Sequence, residues 1–185
     1  DYIEISNSEG ETISYTTLHQ SYHYSYNHEL NKVTDTGRMF LDSVRVNNQK
    51  YGIEYTSRES LPVPYTRGID LQGYYNGNDS NTNLLGRIST ESAVDFSYRQ
   101  PCFEHASKGM IKKIIYPTGG NTEFVFENHS CGKAMVIDPE SFPSPALKSE
   151  IRTVSVGGLR IKKIINTPGE TISYDYTKSE GIISS

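Results

Sequence analysis

At 185 residues, with 35% apolar and 22% charged side chains, the chain is long enough to hide roughly 70% of the surface its unfolded form exposes, and its composition is not that of a disordered tail. A formal charge of −4, with acids and bases interspersed, leaves no basic stripe to follow a phosphate backbone and argues against nucleic acid as a partner. No run approaches the roughly 18 apolar residues of a membrane span, and no signal peptide is visible; a first residue other than Met and the strand-like ending "SEGIISS" read as a mature or trimmed piece rather than a complete gene product.

Fourteen Tyr against six Phe and no Trp favour strands with half-wet aromatic faces. The first predicted arm is "GETISYTT" from Gly10, whose "GETISY" returns at Gly169. "SYHYSYN" follows, with Tyr22, Tyr24 and Tyr26 on one strand face as a tyrosine ladder. "LDSVRVNNQKYGIEYT" then reads as a hairpin: Leu41 and Val44 in its first arm, an Asn-rich turn, and Tyr51, Ile53 and Tyr55 alternating in its second. Residues 57–90, with "LPVP" and "GYYNGNDSNTN", are expected to be loop-rich.

The clearest pattern comes next. "GMIKKIIYPTGGNTEFVFE" (109–127) and "GLRIKKIINTPGETISYDY" (158–176) align without a gap when Ile111 is set over Ile161, matching Lys112 with Lys162, Ile115 with Ile165 and Gly119 with Gly169. Each is a Gly-led apolar run, a Pro/Gly turn and an alternating aromatic arm, the pattern of a β-hairpin. Phe124 and Tyr174 occupy matched positions and are expected to face inward. Ile111 and Ile114, three apart, would point to opposite faces of a regular strand, so both faces are partly covered or a bulge re-aims one of them. A helix over Met110–Ile115 fits the spacing too, but the run is short, rich in β-branched Ile and bounded by Gly and Pro. Between the two copies, "DPESFPSPALKS" reads as a mobile excursion over 138–149 that needs no secondary structure.

Hairpins that cannot bury an apolar face alone are expected to share one sheet. Residues 1–185 therefore read as a single β-rich module, all-β and mainly antiparallel, forming a sandwich or strongly curved sheet of repeated hairpins.

The arms "GxTxFxFE" and "GETISYDYTKSEG" resemble the tyrosine-aspartate repeat of the Rhs and YD-repeat superfamily, in which Gly precedes an aromatic-x-aromatic-Asp unit. "GYYNG", "FSYRQPCFEHASKGMIKKIIYPTGGNTEFVFE" and "VGGLRIKKI", in that order, are similar to a segment of large exported, mostly uncharacterised proteins of gut-dwelling Gram-negative bacteria. The likeness runs over about residues 38–178. Thr16, Thr56, Glu127 and Thr177 stand where the repeat has Asp, and Gln72 stands where an aromatic residue would precede "GYYNG". The resemblance implies an extracellular or cell-surface structural module of curved antiparallel sheet, whose partner is the remainder of the same large protein. In that superfamily any enzymatic activity lies in a separate terminal domain.

Little in the chain is written for catalysis. No G-x-S-x-G elbow and no H-E-x-x-H is present, and no cofactor is implied. Cys102 with His105, and Cys131 with His129, are ordinary sequence neighbours; two unpaired buried thiols are the simpler reading and a disulfide the alternative. Asn76, Asn78, Asp79 and Asn81 offer oxygens to calcium, but a single Asp brings little charge. Tyr74, Tyr75, Asn76 and Asp79 are the candidate ligand-binding residues, a platform for surface glycans in which aromatic faces cover a pyranose and amides bond its hydroxyls. The alternative is that one Tyr anchors the loop. Function is therefore expected to be structural and non-enzymatic, with a carbohydrate-binding module as the rival.

Overall fold

A computed structural model describes residues 1–27, 32–33, 37–81, 84, 87–88, 94–95, 97–138 and 146–176. Its strands are β1 (Tyr2–Ser6), β2 (Thr12–His23), β3 (Tyr26–Asn27), β4 (Lys32–Val33), β5 (Arg38–Val46), β6 (Gln49–Tyr55), β7 (Arg87–Ile88), β8 (Val94–Asp95), β9 (Ile111–Ile115), β10 (Asn121–Asp138), β11 (Ala146–Thr167) and β12 (Thr171–Ser173). One four-residue helix, α1 (Phe103–Ala106), and two 3-10 turns complete the described elements. No helix among the described residues is long and apolar enough to cross a membrane.

The all-β, mainly antiparallel expectation holds. Eight strands form one sheet in the order β1-β2-β5-β6-β9-β10-β11-β12, with small two-stranded pairs β3-β4 and β7-β8 beside it in sequence. The chain gathers into two compact units: Asp1–Thr66, Ser107–Val125 and Lys163–Ser173 form the first, and Arg67–Ala106, Phe126–Lys162 and Tyr174–Ser185 the second. β10 reaches Asp138 and β11 starts at Ala146, so strand occupies both ends of the expected 138–149 excursion; residues 139–145 lie outside the described residues.

In the first unit the two long repeats are hairpins of identical register. Ile115 faces Asn121, Ile114 faces Thr122 and Lys113 faces Glu123; fifty residues on, Ile165 faces Thr171, Ile164 faces Ile172 and Lys163 faces Ser173. The closing bonds match as well, with Tyr116 N–H donating to the Gly120 carbonyl at 2.8 Å and Asn166 N–H to the Glu170 carbonyl at 3.1 Å. The same bond closes β1 and β2, from Asn7 N–H to the Glu11 carbonyl at 2.9 Å. Each loop carries Gly at its fourth position, with φ of 83° at Gly10, 87° at Gly119 and 142° at Gly169, a region in which a Cβ is strained. The Thr167–Pro168 peptide in the third loop is cis.

Register also explains the irregular spacing of Ile111 and Ile114. On β6, Glu54 faces Lys113 while the next residue, Tyr55, faces Ile111, so Lys112 is an extra residue in β9. That bulge returns Ile111 to the face carrying Ile53 and Ile114, and the run is a strand, not a helix. Asp42 is the corresponding extra residue in β5, where His19 faces Ser43 and Gln20 faces Leu41.

Rows of side chains cross this face: the apolar Leu18, Val44 and Tyr51 in one, and Ile53 and Ile114 followed by the polar Thr122 in another. Most are half-buried, and only Phe40 and Tyr98 are buried apolar side chains among the described residues. Phe40 packs edge-on to Tyr55 with ring centres 4.8 Å apart, and the Arg58 guanidinium covers both rings while pairing with Asp42. β2 ends at His23, so the expected tyrosine ladder is reduced to Tyr22 and Tyr24, 6.5 Å apart.

Candidate functional site

The segment holding Tyr74, Tyr75, Asn76 and Asp79 belongs to the second unit and is built on Asp70. This carboxylate is 1% exposed, and its Oδ1 accepts the N–H groups of Gln72 and Tyr74, both at 2.9 Å. The Asp70 carbonyl accepts Gly73 N–H at 3.2 Å, and Asp70 N–H donates to the Tyr74 carbonyl at 2.8 Å. Gly73 has φ of 94°. Asn7 makes the same set: its Oδ1 accepts the N–H groups of Glu9 at 3.0 Å and Glu11 at 2.8 Å. The candidate loop thus reuses the turn that closes the first hairpin, an Asn or Asp three residues before a left-handed Gly. That spacing, N-S-E-G and D-L-Q-G, was the sequence signal that hairpin periodicity alone overlooked.

Beyond the turn, polar side chains bind the loop to its own unit. Asn76 Nδ2 donates to the carbonyls of Tyr98 at 2.9 Å and Gln100 at 3.1 Å, and Asn78 Nδ2 donates to Tyr98 at 3.1 Å. Asn76 Oδ1 accepts Asn78 N–H at 3.2 Å. Asn78 Oδ1 accepts the Ser80 hydroxyl at 3.2 Å. Asn76 and Asn78 thus turn their amide nitrogens to carbonyls and spend their oxygens on local turns, whereas the buried Asn81 Oδ1 has no hydrogen-bond partner among the described residues.

Tyr75 is the anchor. Its hydroxyl donates to Asp79 Oδ2 at 2.8 Å, and its ring meets the edge of His105 with centres 5.2 Å apart. Burial, then the hydrogen bond to Asp79 and the charge of that carboxylate, push the Tyr75 phenol well above its ordinary value. Gly77 lies under His105, with φ of 80° and no room for a Cβ beside the imidazole. Tyr74 is 44% exposed. Its hydroxyl lies against Gly158, where a Cβ would come within 3.3 Å of Tyr74 and of His129. Gly157 is closer still: a Cβ there would lie 2.6 Å from Asp70 Oδ2. The two glycines of "VGGLRIKKI" therefore let β11 approach the loop of "GYYNG", while Asn76 and Asn78 hold the carbonyls of Tyr98 and Gln100.

The remaining candidates stay apart. His19 is exposed, whereas His23 is half-buried with Nε2 unpaired. Cys102 and Cys131 are both half-buried and no disulfide joins them. No group of three or more His, Cys, Asp or Glu gathers among the described residues. Tyr rings stack in pairs among the described residues: exposed Tyr2 on exposed Tyr15 at 5.4 Å and 27°, and exposed Tyr174 on half-buried Tyr176 at 6.5 Å and 20°. Tyr174 is 43% exposed, so the expectation that it faces inward is corrected; Phe124 is half-buried. A local charge cluster went unread: Arg160 Nε donates to Glu127 Oε1 at 2.8 Å and its guanidinium lies 4.1 Å from the centre of the Tyr176 ring. Cross-strand pairs of this kind need register, which composition does not reveal.

No protein-family model matches the chain, and no curated protein or solved structure shows a significant likeness to it.

Proposed function

We propose that the chain is a non-enzymatic structural β-repeat module of a large exported or cell-surface protein, of the Rhs/YD-repeat kind that its motifs resemble. Its partner in this reading is the remainder of the same protein. The observation that carries it is the shared register of the hairpins around Ile115–Asn121 and Ile165–Thr171. Repetition of a hairpin, down to its closing bond, builds sheet; a reaction needs ionisable groups converging in a concave site. The candidate loop supports the same reading, because Asp70, Tyr75, Asn76 and Asp79 are all spent on bonds within it or to neighbouring carbonyls.

A carbohydrate-binding module is the second reading, and the exposure of Tyr74 favours it. Oligosaccharide arrays followed by calorimetry separate the two. The structural reading expects no selective sugar. A sugar whose affinity falls with Tyr74→Ala, while the melting temperature of the free protein holds, would replace it with the second.

A further inference from the structure

We propose that the Asn76-Gly77 step is a self-modifying site: when its loop opens, the Gly77 nitrogen closes on the Asn76 side chain and turns it into an aspartate, so that opening leaves a one-way covalent mark. This goes beyond the structural reading and does not depend on it.

Asn76 and Gly77 form the only Asn-Gly pair in the sequence. A following glycine leaves its amide nitrogen unhindered and its backbone free to bring that nitrogen onto the Asn side-chain carbon, and any Cβ narrows both. Asn78 precedes Asp79 and Asn81 precedes Thr82, so the other asparagines of this loop lack that freedom. In the reaction the Gly77 nitrogen gives up its proton and bonds to Asn76 Cγ, the Cγ–Nδ2 bond breaks, and Nδ2 leaves with that proton as ammonia. Water then opens the succinimide ring. Attack at Cγ leaves ordinary aspartate, and attack at the main-chain carbonyl carbon leaves isoaspartate, joined to Gly77 through its side chain. Water is the only co-reactant.

In the folded loop these atoms are held off that path. Asn76 N–H donates to the Gly68 carbonyl at 2.9 Å. Its Oδ1 accepts Asn78 N–H at 3.2 Å, while Nδ2 donates to the carbonyls of Tyr98 at 2.9 Å and Gln100 at 3.1 Å. An amide plane tied at both ends cannot turn its carbon to Gly77 without breaking these bonds. Gly77 is seated as well, with φ of 80° and a position over the His105 ring where a Cβ would come within 2.4 Å of Nε2.

What holds the loop is mainly polar. Leu71, Gln72, Gly73 and Tyr74 are exposed, and Asn76 and Gly77 are half-buried. A segment with so little apolar burial opens locally while the rest of the fold stays closed. The mark then prevents the loop from closing as before. A carboxylate at position 76 sets an oxygen where Nδ2 stood, against the carbonyls of Tyr98 and Gln100, and exchanges two donated bonds for repulsion between acceptors. In the iso form an added main-chain carbon also moves Gly77 from its place over His105.

Peptide mapping by mass spectrometry of the 185-residue chain, aged in native buffer and in concentrated urea at the same temperature and mildly alkaline pH, tests this. In urea, Asn76 is expected to convert faster than any other asparagine of the chain. In native buffer it should convert at least about tenfold more slowly than in urea. Tyr75→Phe, which removes the bond to Asp79 and leaves Asn76 untouched, should restore part of the lost rate. Asn76→Asp should exchange the amide hydrogens of residues 72–78 faster than the wild type, while those of 111–115 keep their protection. If that variant fails to fold, wild type partly converted in mild urea and returned to buffer, its converted fraction separated by charge, supplies the same comparison. Equal rates in buffer and urea, an unfolded Asn76 no faster than other asparagines, a Tyr75→Phe rate equal to that of the wild type, or a converted loop as protected as the original would each overturn the proposal.

Discussion

Thr122 donates its hydroxyl to the Asn166 amide oxygen at 2.7 Å, tying the second arm of one repeated hairpin to the turn of the next. Thr122 is 6% exposed, and its only hydroxyl proton is committed, so Tyr116 O–H must donate to it at 2.8 Å. The position equivalent to Asn166 in the preceding hairpin is Tyr116, and one threonine thus serves both turns.

Replacing Thr122 by Val keeps the shape and removes both bonds. The loss should be about 2 kcal/mol, the range for stranding a buried polar group, with Ser recovering most of it. Chemical denaturation of the two variants checks this, and equal stability of Val and Ser would contradict it.

Glycines in left-handed turns should differ by what surrounds them. Gly10 has open space where a Cβ would sit, so Gly10→Ala should cost only the backbone strain, about 1 kcal/mol. Gly77→Ala adds a collision with His105 and should cost at least about 2 kcal/mol. Thermal unfolding of both variants reads the difference.

Acid stability should depend on Asp42. Burial works against its charge, but hydrogen bonds from Arg58 and Ser21 and the Arg58 charge prevail and hold its carboxyl below the usual value. The unfolded chain then binds the extra proton first, so this contribution is present above about pH 4 and is lost as pH falls through the lowered folded value. Unfolding of Asp42→Asn, followed from neutral pH downward, should show a shallower loss than the wild type.

Tyr75 works in the opposite direction. With its folded-state ionisation raised, its contribution is whole below about pH 10 and fades above it, as the unfolded chain gives up its phenolic proton first. Tyr75→Phe should therefore lose less stability than the wild type when alkali is added, as read by denaturation midpoints. A parallel decline would place the Tyr75–Asp79 bond outside the folded loop.

Hairpins were legible in the sequence because a Gly-led turn between alternating arms is a local signal; the Ile111 bulge was legible as one of two ways to resolve a spacing of three. The Asp70 turn was written just as locally, as Asp three residues before Gly, yet it lay in a stretch without strand periodicity. What could not be read were meetings between distant segments. Asp70 against Gly157, Asn76 against the Tyr98 carbonyl and Arg58 over Phe40 each need the fold to bring them together. Tyr174 was misread as inward because alternation specifies two faces without saying whether either is covered.

Construction by repetition, with both hairpins sharing one cooperative sheet, is the central claim. Native-state hydrogen exchange over residues 111–115 and 163–165, measured against rising denaturant, tests it most directly. The two sets of amides are predicted to merge into one opening event and to weaken together in Thr122→Val. Separate openings, with the second hairpin untouched by that substitution, would contradict it.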